Sequence, residues 1–333
     1  MKAARKKKYL PDTYRAGLTV ESPEYKAHVR CEMEQLRRAD GKGEALARLE
    51  SILYRSGSHA DGFDILPWRM PDGEELYVSR WMAPDPRHVI VYVNGLESHG
   101  GWFSEVAGQL ADAGTAVYAL DRRGSGLNVR SVGTYRDWIA DLAAVANGAK
   151  KDCPGVSLHV VSSCFGAAVA TAFAIQHPCL PDSLIYFSPG LRVKVHPTMS
   201  ERLRIGLSVL PGVAESIPSP VRADEMFTDT DEGLWFLHRD KLRTVAPRAE
   251  DFLQGRRIIS RVRQNLHLVK VPSIVFLAGR DQVVDNAATR RTFMRFAQKP
   301  KFVEYPESEH IIFLGPAKQA LVADVRRFIE QGF

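Results

Sequence analysis

The chain has 333 residues, 45% hydrophobic and 25% charged, with 45 Lys and Arg against 39 Asp and Glu for a formal charge of +6. That composition is ordinary for a globular protein and excludes general disorder. The small basic excess comes with no nucleic-acid-binding motif, so nucleic acid is not an expected partner, and no segment is long and apolar enough to span a bilayer.

The stretch Met1 to Lys8 is basic and has no apolar run behind it. A secretory signal is therefore not expected, the cluster from Arg5 to Lys8 reads as a solvated tail, and a cytoplasmic location is the default. The four cysteines, Cys31, Cys153, Cys164 and Cys179, have neither metal-ligand spacing nor disulfide-scaffold density, so no metal or cofactor is expected. Residues Pro23 to Tyr54 carry Glu, Lys, Arg, Leu and Ala at helical spacing, broken near Gly41-Lys42-Gly43. They predict two helices in an extension over residues 1–59 that packs on the core or mediates a homodimer.

Next, Gly62 to Trp68 and Glu75 to Trp81, split by Pro71-Asp72-Gly73, read as an antiparallel hairpin. Apolar strands then alternate with helices, the pattern of a mostly parallel sheet. The alternation stops after Ser188-Pro189-Gly190 and resumes at Pro272, running to a closing helix from Pro316 to Phe333. The chain exceeds the usual size of one core. It is read as a core of residues 60–188 and 272–333, interrupted by an insertion over 189–271.

Within that core, the strand-like Leu158-His159-Val160-Val161 ends in Ser162-Ser163-Cys164-Phe165-Gly166 and turns at once into the helix-prone Ala167 to Ala174. A sharp strand–turn–helix corner of the S-x-C-x-G type strains its central residue and demands small neighbours two before and two after. Only Cys164, flanked by Ser162 and Gly166, meets that demand. Centring the corner on Ser163 puts Val161 and Phe165 at the crowded positions, and centring it on Ser162 puts Val160 and Cys164 there. For a cysteine in no such context, packing under a helix is the ordinary role.

A nucleophile needs a base, and the base needs an acid to fix its tautomer. After the apolar run Pro272 to Ala278 comes Gly279-Arg280-Asp281, a carboxylate at a strand's C-terminal end. After Lys301 to Tyr305 comes Pro306-Glu307-Ser308-Glu309-His310, a loop histidine after the next strand. Asp285 competes as the acid, but it directly precedes a helical run that it could cap.

Together these stretches resemble the α/β-hydrolase superfamily, in particular its monoacylglycerol-lipase-like and lysophospholipase-like branch, also known from serine aminopeptidases. Val91 to Phe103, with Asn94-Gly95-Leu96, resembles the branch's oxyanion loop, and Asp121-Arg122-Arg123-Gly124-Ser125-Gly126 resembles its D-x-R-G-x-G turn. The resemblance covers about residues 60 to 333. It implies an eight-stranded, mostly parallel sheet flanked by helices, a helical cap inserted after the sixth strand, and a triad of Cys164, Asp281 and His310. It also implies an oxyanion hole built from the backbone N–H groups of Leu96 and Phe165. Two residues depart from the pattern: Asn94 stands for the usual histidine and Cys164 for the usual serine.

Gly95, Met226, Phe227 and Trp235 are the expected substrate contacts, the last three as either the apolar underside of the cap or its own core. Ten arginines between Arg202 and Arg263 make the insertion basic. They read as a solvated face or as a docking surface for an anionic substrate or an acidic carrier protein. Three functions follow. The first is hydrolysis of an ester or thioester, lipid-like or linked to CoA or an acyl carrier, through a thioester acyl-enzyme. The second is acyl transfer, cyclisation or carbon–carbon cleavage with the same triad, and the third is ligand binding without catalysis.

Overall fold

The computed structural model describes residues 63–208 and 216–331, all within one compact unit, Ser58–Phe333. The basic tail and the two helices expected before residue 60 lie outside the described residues. An eight-stranded sheet runs in the order β1-β2-β4-β3-β5-β6-β7-β8. β1 (Phe63–Arg69) and β2 (Glu75–Trp81) form the expected hairpin, closed by Gly73 at φ 89, and β2 also runs antiparallel to β4. The strands β3 (His88–Val93), β4 (Thr115–Leu120), β5 (Ser157–Ser163), β6 (Ser183–Phe187), β7 (Ser273–Ala278) and β8 (Lys301–Tyr305) are parallel.

Strand periodicity assigns the two faces of this sheet. Val89, Val91 and Val93 of β3 share a core with Trp138 of α2 (Tyr135–Asp152) and Phe173 of α3 (Gly166–Gln176). Tyr92 between them points the other way and stacks on Phe103, 4.2 Å between ring centroids, just before α1 (Ser104–Asp112). Both faces are therefore covered, which is why the central strands read as unbroken apolar runs. The mostly apolar α3 is buried from Gly166 to Ala174, packed on α2 and on α6 (Ala249–Asn265).

Between β6 and β7 no described residue joins the sheet. This segment carries α4 (Met199–Leu207), α5 (Asp231–Arg239) and α6, and α4 begins in a capping box of Thr198 and Glu201. After β7 come α7 (Asn286–Phe293) and, after β8, α8 (Lys318–Gln331). Register aligns Val93 with Ser162, and Ser163 with Phe187, so β3, β5 and β6 end side by side. Alignment of Ala278 with Tyr305 ends β7 and β8 together as well. The loops that follow thus gather at the C-terminal edge of the sheet, where open α/β folds place their sites. Among the described residues, no helix is long and apolar enough to cross a membrane.

Candidate active site

Cys164 sits at the corner between β5 and α3 with φ 46, the left-handed region that a side chain rarely occupies. Backbone bonds hold it there: its N–H donates to Phe187 O (3.0 Å), and its carbonyl accepts from Gly190 (2.7 Å) and Ala167 (3.2 Å). A Cβ on Gly166 would lie 2.5 Å from Val93 O, so glycine two places on is a steric necessity. Neighbouring Ser162 and Ser163 are buried, and Ser163 Oγ bonds the Tyr92 hydroxyl at 2.7 Å. Of the three, Cys164 alone opens on the main cavity, as a free thiol.

His310 and Asp281 meet as their loops converge, His310 Nδ1 donating to Asp281 Oδ2 at 2.8 Å, with both side chains fully buried. Asp281 Oδ1 accepts from the N–H groups of Val283 (2.8 Å) and Val284 (2.7 Å), which fixes the carboxylate plane. His310 Nε2 has no hydrogen-bond partner among the described residues. Burial opposes the charged imidazole, but the Asp281 carboxylate and then the Cys164 sulfur outweigh it and push His310 up to about 10. Asp285, the competing acid, is occupied elsewhere: its Oδ1 caps α7 by accepting from Ala288 N (2.8 Å).

The loop after β3 runs so close to the corner that a Cβ on Gly95 would lie 3.2 Å from Cys164 Cβ. Among the described residues, the N–H groups of Leu96 and Phe165 donate to no protein acceptor. Arg122, which the sequence did not single out, braces both residues. It is buried, its guanidinium lies 5.0 Å from the Phe165 ring and 5.2 Å from the Trp138 ring, and Nη2 donates to Gly95 O (2.9 Å) and Leu96 O (3.3 Å). Burial lowers its pKa to about 10, which leaves it charged at neutral pH. The Gly95 carbonyl belongs to the same peptide group as the Leu96 N–H, so a cation bonded to that oxygen polarises that N–H as a donor. Asn94 completes the brace, donating to Gly95 O (3.1 Å), Ser98 O and Ser125 Oγ (3.1 Å) while accepting from Arg122 N (3.0 Å). The arginine of the D-x-R-G-x-G turn, Arg123, instead ties Asp141 to Asp72.

Two polar clasps fasten the same loop to the segment between β6 and β7. His99 Nδ1 accepts from Gly101 N (3.0 Å), so Nε2 carries the proton and donates to Asp240 (3.0 Å), which also accepts from Trp102 Nε1 (2.5 Å). Buried Glu97 pairs with Arg243 (2.8 Å) and Ser219, and Arg243 reaches on to Asp224 (2.6 Å).

The cavity above Cys164 measures about 1270 Å³, and Gly95, Leu96, Phe165 and Phe227 help to line it. Phe227 lies 5.9 Å from the His310 ring. Of the expected cap contacts, Phe227 lines the cavity, whereas Met226 and Trp235 are not among its lining residues. Met226 ends a short 3-10 turn that presents Phe227 instead, and Trp235 lies against Arg239, 3.7 Å from guanidinium carbon to ring centroid. Among the described residues, no group of three or more His, Cys, Asp or Glu side chains is placed to hold a metal ion.

Known proteins resemble this chain in sequence and in fold. Monoacylglycerol lipase of Mycolicibacterium smegmatis is 26% identical over 255 residues, covering 74% of this chain and 89% of the relative. The crystal structure of a soluble variant of monoglyceride lipase from Saccharomyces cerevisiae superposes with a TM-score of 0.73 at 16% identity, over 84% of this chain and 98% of that one. Paleococcus ferrophilus monoacylglycerol lipase gives a TM-score of 0.67 at 17% identity, over 77% and 98%. The family model described as serine aminopeptidase, S33, matches residues 84–317, and the chain belongs to that family of α/β hydrolases.

Proposed function

We propose that the protein cleaves an ester or thioester through a Cys164–His310–Asp281 triad and a thioester acyl-enzyme. His310 Nε2 withdraws the thiol proton while Asp281 holds Nδ1 and stabilises the imidazolium. Sulfur attacks the acyl carbon, a C–S bond forms, and the carbonyl electron pair moves onto an oxygen held by the Leu96 and Phe165 N–H groups. Collapse breaks the bond to the leaving alcohol or thiol, which recovers the proton from His310. Water, giving its proton to the same imidazole, then cleaves the thioester and frees Cys164.

One observation carries this reading: the side chain at the strained corner that opens on the cavity is a thiol, beside a buried histidine whose far nitrogen is fixed and whose near nitrogen is unpartnered. The kinship with monoacylglycerol lipases supports an acyl ester as substrate. The cavity exceeds the roughly 300–1,000 Å³ of common small-molecule sites, enough for a long acyl chain. The test is incubation with a neutral acylglycerol and with an acyl thioester, followed by intact-protein mass. An acyl adduct on Cys164 is expected, and full turnover by Cys164→Ala would end the reading.

The cysteine itself favours a second reading, acyl transfer, cyclisation or carbon–carbon cleavage, because amines and carbanions capture a thioester more readily than an oxygen ester. Cys164→Ser separates the two. A transferase loses its transfer product disproportionately in the serine variant, whereas a hydrolase keeps its product ratio.

A further inference from the structure

Besides Arg202, which donates to Pro197 O, five arginines stand at or beside the cavity away from the triad, and among the described residues none of the five has a carboxylate partner. Arg192 lies on the loop after β6, Arg256 and Arg263 lie one heptad apart on α6, and Arg295 follows α7; all four line the cavity. Arg291, at the end of α7, is the fifth. Arg192 Nε donates to Thr292 Oγ1 at 2.9 Å, a bond that leaves its two terminal nitrogens available for a further partner. Its charged form is disfavoured first by burial and then by Arg263, Arg295 and Arg291, so each of these cations lies close enough to repel Arg192. The one carboxylate that counters this repulsion is Asp285, whose Oδ1 is held by the N-terminus of α7.

Like charges from three separate elements around one space, Arg192 and Arg263 half-buried and Arg256, Arg291 and Arg295 exposed, form an arrangement that an anion relieves. A single carboxylate is satisfied by one guanidinium fork, whereas the three terminal oxygens of a phosphate take several. Arg192 follows Gly190 by two residues, and Gly190 packs on the Cys164 backbone, so at most about 7 Å of chain separates the cluster's nearest member from the corner. Such a spacing lets one substrate reach both.

We propose that Arg192, Arg263 and Arg295, with Arg256 at the rim, form a subsite for the phosphate of a phosphorylated acyl substrate. The proposal rests on the triad reading and names the substrate class for that site. The phosphate belongs either to a lysophosphatidate-like lipid, a monoester with three terminal oxygens, or to the phosphopantetheine arm of a thioester, whose doubly substituted phosphate has two; the shared chemistry is anionic phosphate oxygens taken by guanidinium forks.

The experiment compares kcat/KM of the full-length protein on 1-acylglycerol 3-phosphate, the matched neutral 1-acylglycerol, acyl-CoA and the matched acyl-N-acetylcysteamine. Inorganic phosphate serves as a competitor. The parent should prefer at least one phosphorylated member over its neutral match by about tenfold or more, and the pair that shows the preference names the source. In Arg192→Gln/Arg263→Gln that preference should fall toward one and phosphate should cease to compete, while Arg192→Lys/Arg263→Lys, which keeps both charges, should recover much of each. No preference in the parent on either pair, with neutral esters turned over, would overturn the subsite and leave the triad standing. Calorimetric binding of phosphate that vanishes in the glutamine variant, with no substrate turned over by the parent, would keep the subsite and sink the triad.

Discussion

Asp281→Asn tests the acid directly, because the structure dictates how the new amide must turn. Oδ1 of Asp281 accepts two backbone N–H groups, from Val283 and Val284, and Oδ2 faces His310 Nδ1. An asparagine keeps its carbonyl oxygen on those two donors, since the reverse orientation would set an NH2 group against both and forfeit about 1 kcal/mol for each bond. The amide nitrogen then takes the place of Oδ2 and presents a proton to Nδ1. His310 must carry its own proton on Nε2, where it can no longer take one from the Cys164 thiol. Loss of the correct tautomer in a geometrically intact triad costs about 10⁴ in turnover, which is about 5.5 kcal/mol at 1.36 kcal/mol per decade. The assay is turnover of an activated acyl ester at neutral pH, with imidazole ¹⁵N shifts read alongside to show the tautomer. Asp285→Asn is the control, because asparagine also caps helices and should hold Ala288 N with a change of a few tenths of a kcal/mol. Turnover within tenfold of the parent in Asp281→Asn, beside a thousandfold loss in Asp285→Asn, would falsify the acid assignment.

Arg122→Leu should lower kcat about tenfold with KM nearly unchanged, less than the 10²–10³ lost when an oxyanion donor is deleted, because it weakens one donor without removing it. Arg122→Lys should restore part of the loss, and equal effects on kcat and on the urea midpoint would reduce Arg122 to packing. Asp240→Ala strands two buried donors, His99 Nε2 and Trp102 Nε1, at about 1–3 kcal/mol each. Urea unfolding should shift accordingly, and an unchanged midpoint would show that the clasp does not hold. The His310 pKa is raised on folding, so its contribution to stability is complete below about 6.5 and lost as pH rises through about 10. The melting-temperature gap between the parent and His310→Gln should therefore be widest near pH 6 and narrow toward pH 10.5; a gap that ignores pH refutes the coupling.

What the sequence disclosed depended on how locally each feature is encoded. The corner at Cys164 is a steric problem within five residues, and the small side chains that solve it are visible in order. Asp281 and His310 follow strands whose apolar runs mark their own ends, so the C-terminal edge of the sheet could be assembled on paper. The bracing of the site is different in kind. His99 finds Asp240 across 141 residues, and Glu97 finds Arg243 across 146. No local pattern pairs one buried charge with another so far along the chain. That Met226 and Trp235 lie off the cavity lining has a third reason: which face of a short helix meets the cavity depends on its rotation, and at Trp235 a guanidinium one turn on, Arg239, covers the ring.

The two departures from the family pattern, Asn94 and Cys164, stand on neighbouring loops at the C-terminal edge of the sheet, and under the proposed triad, chemistry connects them. A thiolate leaves a tetrahedral centre more readily than an alkoxide does, so an intermediate formed by sulfur on an oxygen ester tends to fall back to substrate. Two features oppose that return: a leaving group as good as the thiolate, as in a thioester, or an oxyanion held strongly enough to let the intermediate persist. Under the proposed triad, the second feature is the one that the Arg122 brace would supply. Asn94 accepts from Arg122 N and shares the Gly95 carbonyl with the Arg122 guanidinium, so the residue in the histidine's place anchors the cation that polarises the Leu96 N–H. In the proposed mechanism, position 94 would act on the acyl chemistry through the charge it helps to hold at Arg122, without touching the substrate. A histidine there has one ring donor at neutral pH, whereas the asparagine amide has two N–H groups shared among three acceptors on the loop and the neighbouring turn.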